Sequence, residues 1–446
     1  MSHVSPLLPL VGAETRVPLL DGRLVTYANL DVAASAPALQ AVADRVAEVL
    51  PWYASVHRGA GYLSQVSTSL YEESRRLIGE YVGARRDADV TVITRNTTDA
   101  VNLLAGCVPG RTLVVDVEHH ANLLPWQRSR AGATVVTGGE SVTATLQAVA
   151  DELAAGDYAL VALTGASNVT GEALPLREVV TLAHGHGARV FVDGAQLLAH
   201  RRFSLAATGT DYIAFSGHKL YAPFGAGALV GRRDWLDAGT PYLAGGGAVS
   251  HVTVDDVAWA PAPARHEGGS PNVIGAVALA AACTTLTTVP AGDLDGHEGV
   301  LRDRLVDGLA EIPGVTVVRL WEDSESPVGV VTFALDGADP GLLAAYLSAE
   351  HGLGVRDGRF CAHPLLARLG LPAGAVRVSL GVGTSGDEIE RLLAGVRAFV
   401  ADGPCGSYAI EDGCWGVVGD PRPPAGVPGV AALAATAGAC RGAAVV

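Results

Sequence analysis

The sequence is almost without lysine. Lysine and arginine together number 31 among its 446 residues, yet Lys219 is the one lysine that it contains. Arginine replaces lysine wherever a cation only has to be solvated. Its pKa stays above about 12, however, so it cannot act as a neutral amine. A site in which an amine must lose its proton and attack a carbonyl needs lysine, and Lys219 is therefore our candidate nucleophile.

Other features are missing as well. The segment from Met1 to Leu10 lacks the basic start and long apolar run of a signal peptide. No stretch of about 18 apolar residues is free of charges and of Gly/Pro breaks, which predicts that the chain does not span a membrane. The net charge of −15 argues against nucleic acid and anionic membranes as main partners. We expect a cytoplasmic protein.

The cysteines show no metal or disulfide pattern. They are scattered without a CxxC pair or a zinc-ligand spacing, at Cys107, Cys283, Cys361, Cys405, Cys414 and Cys440. In a cytosolic chain of this size most should be reduced thiols. The spacing predicts no metal site.

Short apolar runs alternate with helical patterns through the first two thirds of the chain. Hydrophobic residues make up 49% of the sequence and charged residues 17%, so a large core is expected. The predicted buried strands are Thr112–Asp116, Ala159–Leu163, Arg189–Asp193 and Tyr212–Phe215. The alternation predicts an α/β fold with a mainly parallel sheet covered by helices. Ligands bind beyond the carboxyl ends of the strands in such sheets.

The length of the chain predicts two or three domains. After an Ala-rich helix that begins near residue 276, a second pattern of helices and strands predicts a smaller α+β domain. Beyond residue 402 the composition turns to Gly, Pro and Ala, which predicts a tail, partly packed or mobile. The predicted division is an N-terminal arm (1–20), a large domain (21–285), a small domain (286–404) and a tail (405–446).

Two strand ends carry groups that suit pyridoxal 5′-phosphate (PLP). Lys219 follows one predicted strand together with Ser216 and His218, whose polar groups suit a phosphate. Asp193 ends another strand, and Gln196 follows it. The PLP ring needs an acid that keeps its pyridine nitrogen protonated, a role that fits Asp193. Gln196 suits the ring hydroxyl. For Asp193 alone, an ordinary aspartate in a turn is the alternative.

Three further segments add candidates for cofactor binding. Thr97 and Thr98 precede a helical pattern, and hydroxyls at a helix start form an anion site, although a plain helix cap is the alternative. His119 follows the strand ending near residue 116, where an imidazole can stack on a ring and move protons. Asn168 is a second candidate for the ring hydroxyl.

The predicted small domain carries candidates for substrate binding. Arg377 lies in an apolar strand, where a bidentate clamp on an amino-acid carboxylate is one use and a structural salt bridge is the alternative. Arg356 lies near Cys361 in a Gly-containing loop that can present a thiol to the site.

With these residues the chain resembles the class V aminotransferase group of fold-type I PLP enzymes, and within it the cysteine desulfurase and selenocysteine lyase branch. The ordered matches run from near residue 31 to about residue 400. They are Val56-His-Arg-Gly59, Thr97-Thr98, Glu118-His-His-Ala-Asn122, Asp193-Gly-Ala-Gln196, Ser216-Gly-His-Lys219, Gly268-Gly-Ser-Pro-Asn272, the Cys361 loop and Arg377.

The resemblance implies PLP bound to Lys219 as a Schiff base, His119 stacked on the ring, and Asp193 on the ring nitrogen. It implies Arg377 on the substrate carboxylate, with Arg356 and His57 as further substrate-binding candidates, and Cys361 as the nucleophile that forms a persulfide. It also implies a homodimer in which Ser270 reaches the PLP phosphate of the partner subunit, and a possible sulfur acceptor protein.

Departures from the family pattern leave the reaction open. Arg359 and Phe360 stand where the branch usually has histidines before the cysteine, and Gly383-Thr384-Ser385 stands where it usually has Tyr-Asn-Thr. The first hypothesis is cleavage of a C–S or C–Se bond in cysteine or a related amino acid. The second is a PLP-dependent aminotransferase, epimerase or C–S lyase of specialised metabolism. The third is a silent binding protein, against which the retained Lys219 and Asp193 argue.

Overall fold

A computed structural model describes residues 4–411, 413–423 and 426–427. The helices are α1 (Gln40–Val49), α2 (Tyr62–Tyr81), α3 (Thr97–Ala105), α4 (Leu124–Arg128), α5 (Val142–Ala155), α6 (Leu176–Gly185), α7 (Leu197–His200), α8 (Leu205–Thr208), α9 (Arg233–Ala238), α10 (Val273–Thr288), α11 (Asp293–Ala310), α12 (Pro340–His351), α13 (His363–Arg368) and α14 (Gly386–Asp402).

The strands are β1 (Arg16–Pro18), β2 (Leu24–Thr26), β3 (Ala28–Asn29), β4 (Asp89–Thr94), β5 (Thr112–Val115), β6 (Ala133–Val136), β7 (Leu160–Thr164), β8 (Arg189–Asp193), β9 (Tyr212–Ser216), β10 (Gly227–Arg232), β11 (Val249–Val252), β12 (Val257–Trp259), β13 (Val315–Val317), β14 (Val330–Leu335), β15 (Leu353–Gly354), β16 (Arg356–Gly358), β17 (Ala375–Ser379), β18 (Tyr408–Glu411) and β19 (Cys414–Val417).

The large sheet has, among the described residues, seven strands in the order β4, β10, β9, β8, β7, β5, β6. The strands β5 to β9 run parallel to one another, whereas β10 is antiparallel to β9 and β4. Every residue of β7 and β9 is buried, as apolar strands are when helices cover both faces. The predicted α/β fold with its mainly parallel sheet is confirmed, and the four predicted strands lie within one residue of β5, β7, β8 and β9.

The small sheet has the antiparallel order β13, β14, β17, β16 over the described residues. Arg356 and Arg377 are paired in register on β16 and β17, so both point from neighbouring strands toward one region. Apolar residues of α11, α12 and α14 pack with this sheet, among them Leu305, Leu347 and Leu392. This packing orients the substrate-binding candidates.

The chain before residue 31 contacts the surroundings of both sheets. The strand β3 pairs in parallel with β15, and Ala28 and Leu30 pack in the core of the small sheet, although the sequence prediction assigned them to the large domain. In the arm, Leu7 N donates to Val382 O at 2.7 Å and Val11 N donates to Ala38 O at 2.8 Å. The predicted domain boundaries at residues 20, 285 and 404 stay predictions.

Gly383 makes room for this arm. A Cβ atom at Gly383 would lie 2.3 Å from Leu10 Cδ1, so the space next to this glycine is filled by the leucine of the arm. Any side chain larger than hydrogen would displace Leu10. The Gly383-Thr384-Ser385 segment departs from the family pattern, and the packing of Leu10 explains why it begins with glycine.

Part of the predicted tail packs against the body. The strands β18 and β19 form an antiparallel hairpin. Glu350, at the end of α12, accepts hydrogen bonds from Cys405 N at 3.2 Å, Gly406 N at 3.0 Å and Tyr408 Oη at 2.9 Å. The remaining tail residues, 412, 424–425 and 428–446, lie outside the described residues, and Cys440 is among them.

In the part of the chain that the structure describes, no single helix has the length and apolar character needed to cross a membrane. The bent pair α10 and α11 meets those two criteria only when the helices are joined. Within the same residues, no three His, Cys, Asp or Glu side chains are grouped as metal ligands.

Candidate active site

A cavity lies beyond the carboxyl ends of the parallel strands, where such sheets bind ligands. It is lined from the large-sheet side by Ala33, Ala34, Asn96, Thr97, Thr98, His119, Ala121, Thr164, Ala166, Asn168, Asp193, Ala195, Gln196, Ser216, His218 and Lys219. The chain after residue 350 adds Arg356, Phe360, Cys361 and Arg377. The cavity thus brings together all the predicted site residues of this chain except His57 and Ser270.

Lys219 lies in the tight turn that follows β9. Its backbone N–H donates to Ser216 O at 3.3 Å, and Gly217 permits the turn, because a Cβ there would lie 2.6 Å from Ala226 O. Burial lowers the pKa of Lys219, while the nearby Asp193 carboxylate acts in the opposite direction. The site therefore favours the neutral amine that attack on a carbonyl requires.

Asp193 ends β8 on the floor of the cavity. Its Oδ1 accepts from Ala195 N at 2.9 Å, and burial raises the pKa of its carboxyl group. The next residue is packed closely, since a Cβ at Gly194 would lie 2.9 Å from Ile213 Cδ1. A buried carboxylate held in this way is suited to pair with a cationic ring nitrogen.

The start of α3 forms the polar end of the cavity. Thr97 N donates to Ser216 Oγ at 2.8 Å, and the two hydroxyls are 2.7 Å apart. The side chain of Asn96 caps the helix by accepting from Asp99 N at 3.0 Å. A Cβ at Gly227 would lie 2.8 Å from Asn96 Cα, so this glycine lets the helix start approach β10. Hydroxyls at a helix N-terminus suit a phosphate.

His119 is held in a defined tautomer. Its Nδ1 accepts a hydrogen bond from Ala121 N at 3.0 Å, so the proton of the neutral ring lies on Nε2. Burial lowers its pKa to about 3, and the positive charge of Lys219 contributes in the same direction. The ring is therefore neutral at physiological pH and has an N–H to donate.

Two predicted ring-hydroxyl ligands have partners in the protein. Gln196 Nε2 donates to Ala33 O at 2.8 Å, and Asn168 Nδ2 donates to Phe360 O at 2.8 Å. Both side chains line the cavity, but each uses an amide hydrogen to bind a backbone carbonyl group of the protein. Their roles toward a cofactor stay predictions.

Arg377 sits among contacts that sequence reasoning did not foresee. Its Nη1 donates to Asn168 O at 3.0 Å, and its Nη2 to Asp31 Oδ1 at 2.9 Å. The guanidinium carbon lies 5.2 Å from the centre of the Phe360 ring, a cation–π arrangement. Its Nε is buried without a hydrogen-bond partner among the described residues. The ion pair with Asp31 matches the structural salt bridge that was the alternative interpretation of Arg377.

Cys361 lies on a short connection between β16 and α13. Phe360 and Cys361 adopt φ values of 53° and 55°, in the left-handed region that non-glycine residues rarely occupy. Two contacts hold this backbone in place: Phe360 O accepts from Asn168, and Cys361 O accepts from His120 N at 2.9 Å. The thiol is therefore presented to the cavity by an ordered, strained turn.

His57 and Ser270 do not line the cavity of their own chain among the described residues. The imidazole of His57 contacts Glu72 Oε1 at 2.9 Å and is partly exposed. Ser270 is exposed, consistent with the idea that it serves a second subunit, and that role stays a prediction.

Sequence reasoning missed three residues of this region, namely Asp31, Glu118 and Phe360. In the sequence, Glu118 stands out only as part of a motif, but in the structure its carboxyl group is buried next to His119. A charged residue next to a functional strand end was the available signal for Glu118. Asp31 and Phe360 gave none, because their contacts with Arg377 depend on the tertiary fold.

The fold and the cavity together define a class: the chain has the architecture of fold-type I PLP enzymes, with the small sheet closing over the carboxyl edge of the large one. More narrowly, the chain belongs to the aminotransferase class-V family, whose family model matches residues 28–392. Enzymes of this family depend on PLP. The resemblance seen in the sequence is thereby confirmed.

Cysteine desulfurases are prominent among its relatives. The chain is 38% identical over 397 residues to a cysteine desulfurase of Dickeya dadantii, covering 85% of this chain and 92% of the relative. It is 34% identical to a probable cysteine desulfurase of Vibrio cholerae, covering 86% and 95%. Solved structures agree. The cysteine desulfurase CsdA of Escherichia coli has 32% identity, a TM-score of 0.74, and coverage of 83% and 94%. That of Thermococcus onnurineus NA1 has 31% identity, a TM-score of 0.77, and coverage of 84% and 94%.

Proposed function

We propose that this chain is a PLP-dependent cysteine desulfurase that removes the sulfur, or selenium, of a cysteine-type amino acid. The observation that carries the proposal is that Lys219, Arg377 and Cys361 line one cavity. The amine, the carboxylate-binding cation and the thiol that this reaction needs thus meet at one place.

The residues around the cavity fit PLP. Lys219 would hold its carbonyl carbon, Asp193 its ring nitrogen, and the hydroxyls of Thr97 and Ser216 its phosphate. The close approach at Gly227 supports this fit, because it shapes the anion site at the start of α3. When bound, PLP supplies an electron sink for the charge that forms at the substrate α-carbon.

The chain's own residues then have separable tasks. Arg377 binds the substrate carboxylate, and Lys219, whose pKa is lowered by burial, removes the α-proton. The Cys361 thiolate attacks the substrate sulfur, so that a sulfur–sulfur bond forms while the carbon–sulfur bond breaks. The electron pair of the broken bond stays with the carbon skeleton, which leaves as alanine after protonation. The sulfur remains on Cys361 as a persulfide.

Proton delivery must differ from the pattern in which histidines precede the cysteine. Arg359 and Phe360 occupy those positions, and neither can exchange a proton at neutral pH. His119 carries its proton on Nε2 and lines the cavity. We assign protonation of the product to His119 or Lys219.

Two partners are part of the proposal. A homodimer is supported by the exposed position of Ser270 and by the resemblance that places it at the partner's phosphate site. A sulfur acceptor protein would remove the persulfide sulfur. The cytoplasmic location stays a prediction.

The experiment uses the purified holoenzyme with L-cysteine. We expect alanine in the supernatant and a persulfide on the peptide that contains Cys361, identified by mass spectrometry. The variant Cys361→Ala should keep PLP bound but lose turnover by at least about 100-fold, because attack on sulfur has no nucleophile. Cys107→Ala is the matched control, since burial raises the pKa of that thiol to about 11 and it lies outside the cavity.

The replacement of the loop histidines favours a second candidate, a PLP-dependent aminotransferase, epimerase or C–S lyase that does not use the thiol. Under that candidate, Cys361→Ala would convert the physiological amino acid at the wild-type rate. A screen of amino acids that follows the PLP spectrum and identifies products by mass spectrometry separates the two.

A further inference from the structure

The carboxyl group of Glu118 is buried between the large sheet and the loop that carries His119. Its Oε1 accepts from Thr164 N at 2.9 Å, and its Oε2 accepts from Asn122 Nδ2 at 2.6 Å. Glu118 itself does not line the cavity, whereas its neighbour His119 and its partner Thr164 do. It therefore lies one layer behind the wall of the site.

The hydrogen-bond directions around Glu118 follow from a tryptophan. Trp126 Nε1, which can only donate, contacts Asn122 Oδ1 at 2.8 Å. The other end of the Asn122 amide is therefore the NH₂ group, and it donates to Glu118. Thr164 N–H is also a donor. Both oxygens of Glu118 thus accept hydrogen bonds, an arrangement that matches the ionised carboxylate.

The charge of Glu118 has a neighbour of the same sign. Thr164, whose N–H it binds, is paired with Asp193 across β7 and β8. Burial raises the pKa of Glu118 to about 8, and the negative charge of Asp193 contributes in the same direction, while the hydrogen bonds from Asn122 and Thr164 oppose both effects. Without a further cation in the cavity, the carboxyl group is therefore mostly protonated at neutral pH, and its hydrogen bonds stabilise the ionised form once it exists. From the cavity side, the charge of Lys219 opposes the rise in the pKa of Asp193 that burial causes. Two carboxyl groups therefore approach one strand end, and a cation bound against Asp193 would stabilise both in their ionised forms.

We propose that Glu118 is a positioning residue which, hydrogen-bonded to the end of the neighbouring strand β7, adds a second negative charge that keeps the cofactor's pyridine nitrogen protonated. This inference rests on the proposed PLP site. The hydrogen bonds from Thr164 and Asn122 hold the carboxylate at the end of β7 without exposing it to the cavity. Asp193 makes the contact, and Glu118 strengthens its preference for a cation.

The test uses holoenzyme reconstituted with PLP that carries ¹⁵N in the ring, whose chemical shift reports protonation of that nitrogen. In Glu118→Gln the ring nitrogen should lose its proton at a pH lower by about one unit, because a nearby negative charge is gone. Glutamine must also turn its NH₂ toward a donor, either Thr164 N–H or Asn122, so this variant loses a hydrogen bond as well.

A double variant separates charge from hydrogen bonding. In Glu118→Gln/Asn122→Asp the amide and the carboxylate change places. The introduced glutamine would accept from Thr164 N–H and donate to the introduced aspartate, which would still accept from Trp126. Every hydrogen bond and the total charge are kept, but the charge leaves the side chain that is bonded to Thr164, the strand partner of Asp193. Thermal stability should return to the wild-type value while the ring-nitrogen titration stays shifted.

The control is Glu172→Gln. Glu172 is also buried and accepts from two backbone N–H groups, Leu320 N at 2.6 Å and Trp321 N at 3.2 Å, but it does not line the cavity. The Glu172→Gln variant should leave the titration of the ring nitrogen unchanged. A wild-type titration in Glu118→Gln, or a full return to wild type in the double variant, would overturn the inference. A wild-type protein that binds no PLP would instead refute the proposed function.

Discussion

Arg377, which lines the cavity, donates to Asp31 at 2.9 Å, so the cation predicted to bind a substrate carboxylate already contacts a carboxylate of its own chain. Burial lowers the pKa of Arg377, and the charge of Asp31 opposes that effect. The bonds to Asn168 and Asp31 use two of its five N–H donors, and its Nε has no hydrogen-bond partner among the described residues, so donors are left for a second anion. Asp31 therefore stabilises the buried cation before substrate binds and competes with the substrate for it.

Asp31→Asn should tighten substrate binding. Asparagine keeps an oxygen that can accept from Arg377 but removes the competing charge. We expect the KM for L-cysteine to fall by about three- to tenfold with kcat within about twofold, since the interaction affects ground state and transition state alike. Steady-state kinetics measure both constants. Asp31→Ala, which also removes the acceptor, should raise the KM. A raised KM in Asp31→Asn would show that the charge of Asp31 mainly orients the arginine.

Reduction of the holoenzyme with borohydride should attach one pyridoxyl group to the chain, on the peptide that contains Lys219. The chain has no other lysine, so peptide mapping gives an unambiguous answer. Lys219→Arg keeps a cation but should take no label, because arginine cannot present a neutral amine at working pH. A label on another peptide would contradict the assignment.

The stability of the protein should depend on His119 at mildly acidic pH. Its pKa is about 3 in the folded chain and about 6.5 in an unfolded one, so the unfolded chain binds a proton that the folded chain does not. This contribution is complete above about pH 6.5 and is lost as the pH falls toward 3. Between pH 7 and pH 5.5 the loss is about 1 kcal/mol. The urea midpoints of His119→Asn should fall less over this range than those of wild type, and parallel midpoints would exclude the effect.

The protein should be a dimer in solution, with Ser270 acting across the interface. Light scattering should give twice the chain mass. Ser270→Ala should leave that mass unchanged and weaken PLP binding by about tenfold, the loss of one hydrogen bond to a charged group. An active monomer, or a Ser270→Ala variant with wild-type PLP affinity, would contradict this assignment.

The sequence predicted the parts of the site that depend on single strand ends. Lys219, Asp193 and Thr97 each follow or end an apolar run, and parallel strands bring such ends to one edge of a sheet. The contact of Asp31 with Arg377 joins residues far apart in the chain, and it depends on β3 pairing with β15. The hydrophobic periodicity of the sequence does not predict that these two short strands pair.

Two other features of the structure were also not predicted from the sequence. The hairpin of β18 and β19 has a composition typical of a tail, and its docking includes hydrogen bonds to Glu350 at the end of a distant helix and packing of Tyr408 with the core of the small sheet. The buried carboxyl group of Glu118 is bonded to the amide of Asn122, which the indole of Trp126, four residues further on, holds in one orientation. The sequence does not report that orientation.

The position of Leu10 against Gly383 bears on how the cavity can open. Val4 of the arm accepts from Gly386 N at 2.9 Å and packs with the core of the small sheet, whereas Leu7, Leu8 and Leu10 pack with the core of the large sheet. The arm therefore links the two regions, whose separation would widen the entrance. A movement that withdraws Leu10 from its contact with Gly383 would hydrate the leucine, at a cost on the order of 1 kcal/mol for a partly buried side chain. Residues 4–10 would therefore restrain the opening of the cavity, and we expect a fusion partner attached to the arm to alter the rate at which substrate enters.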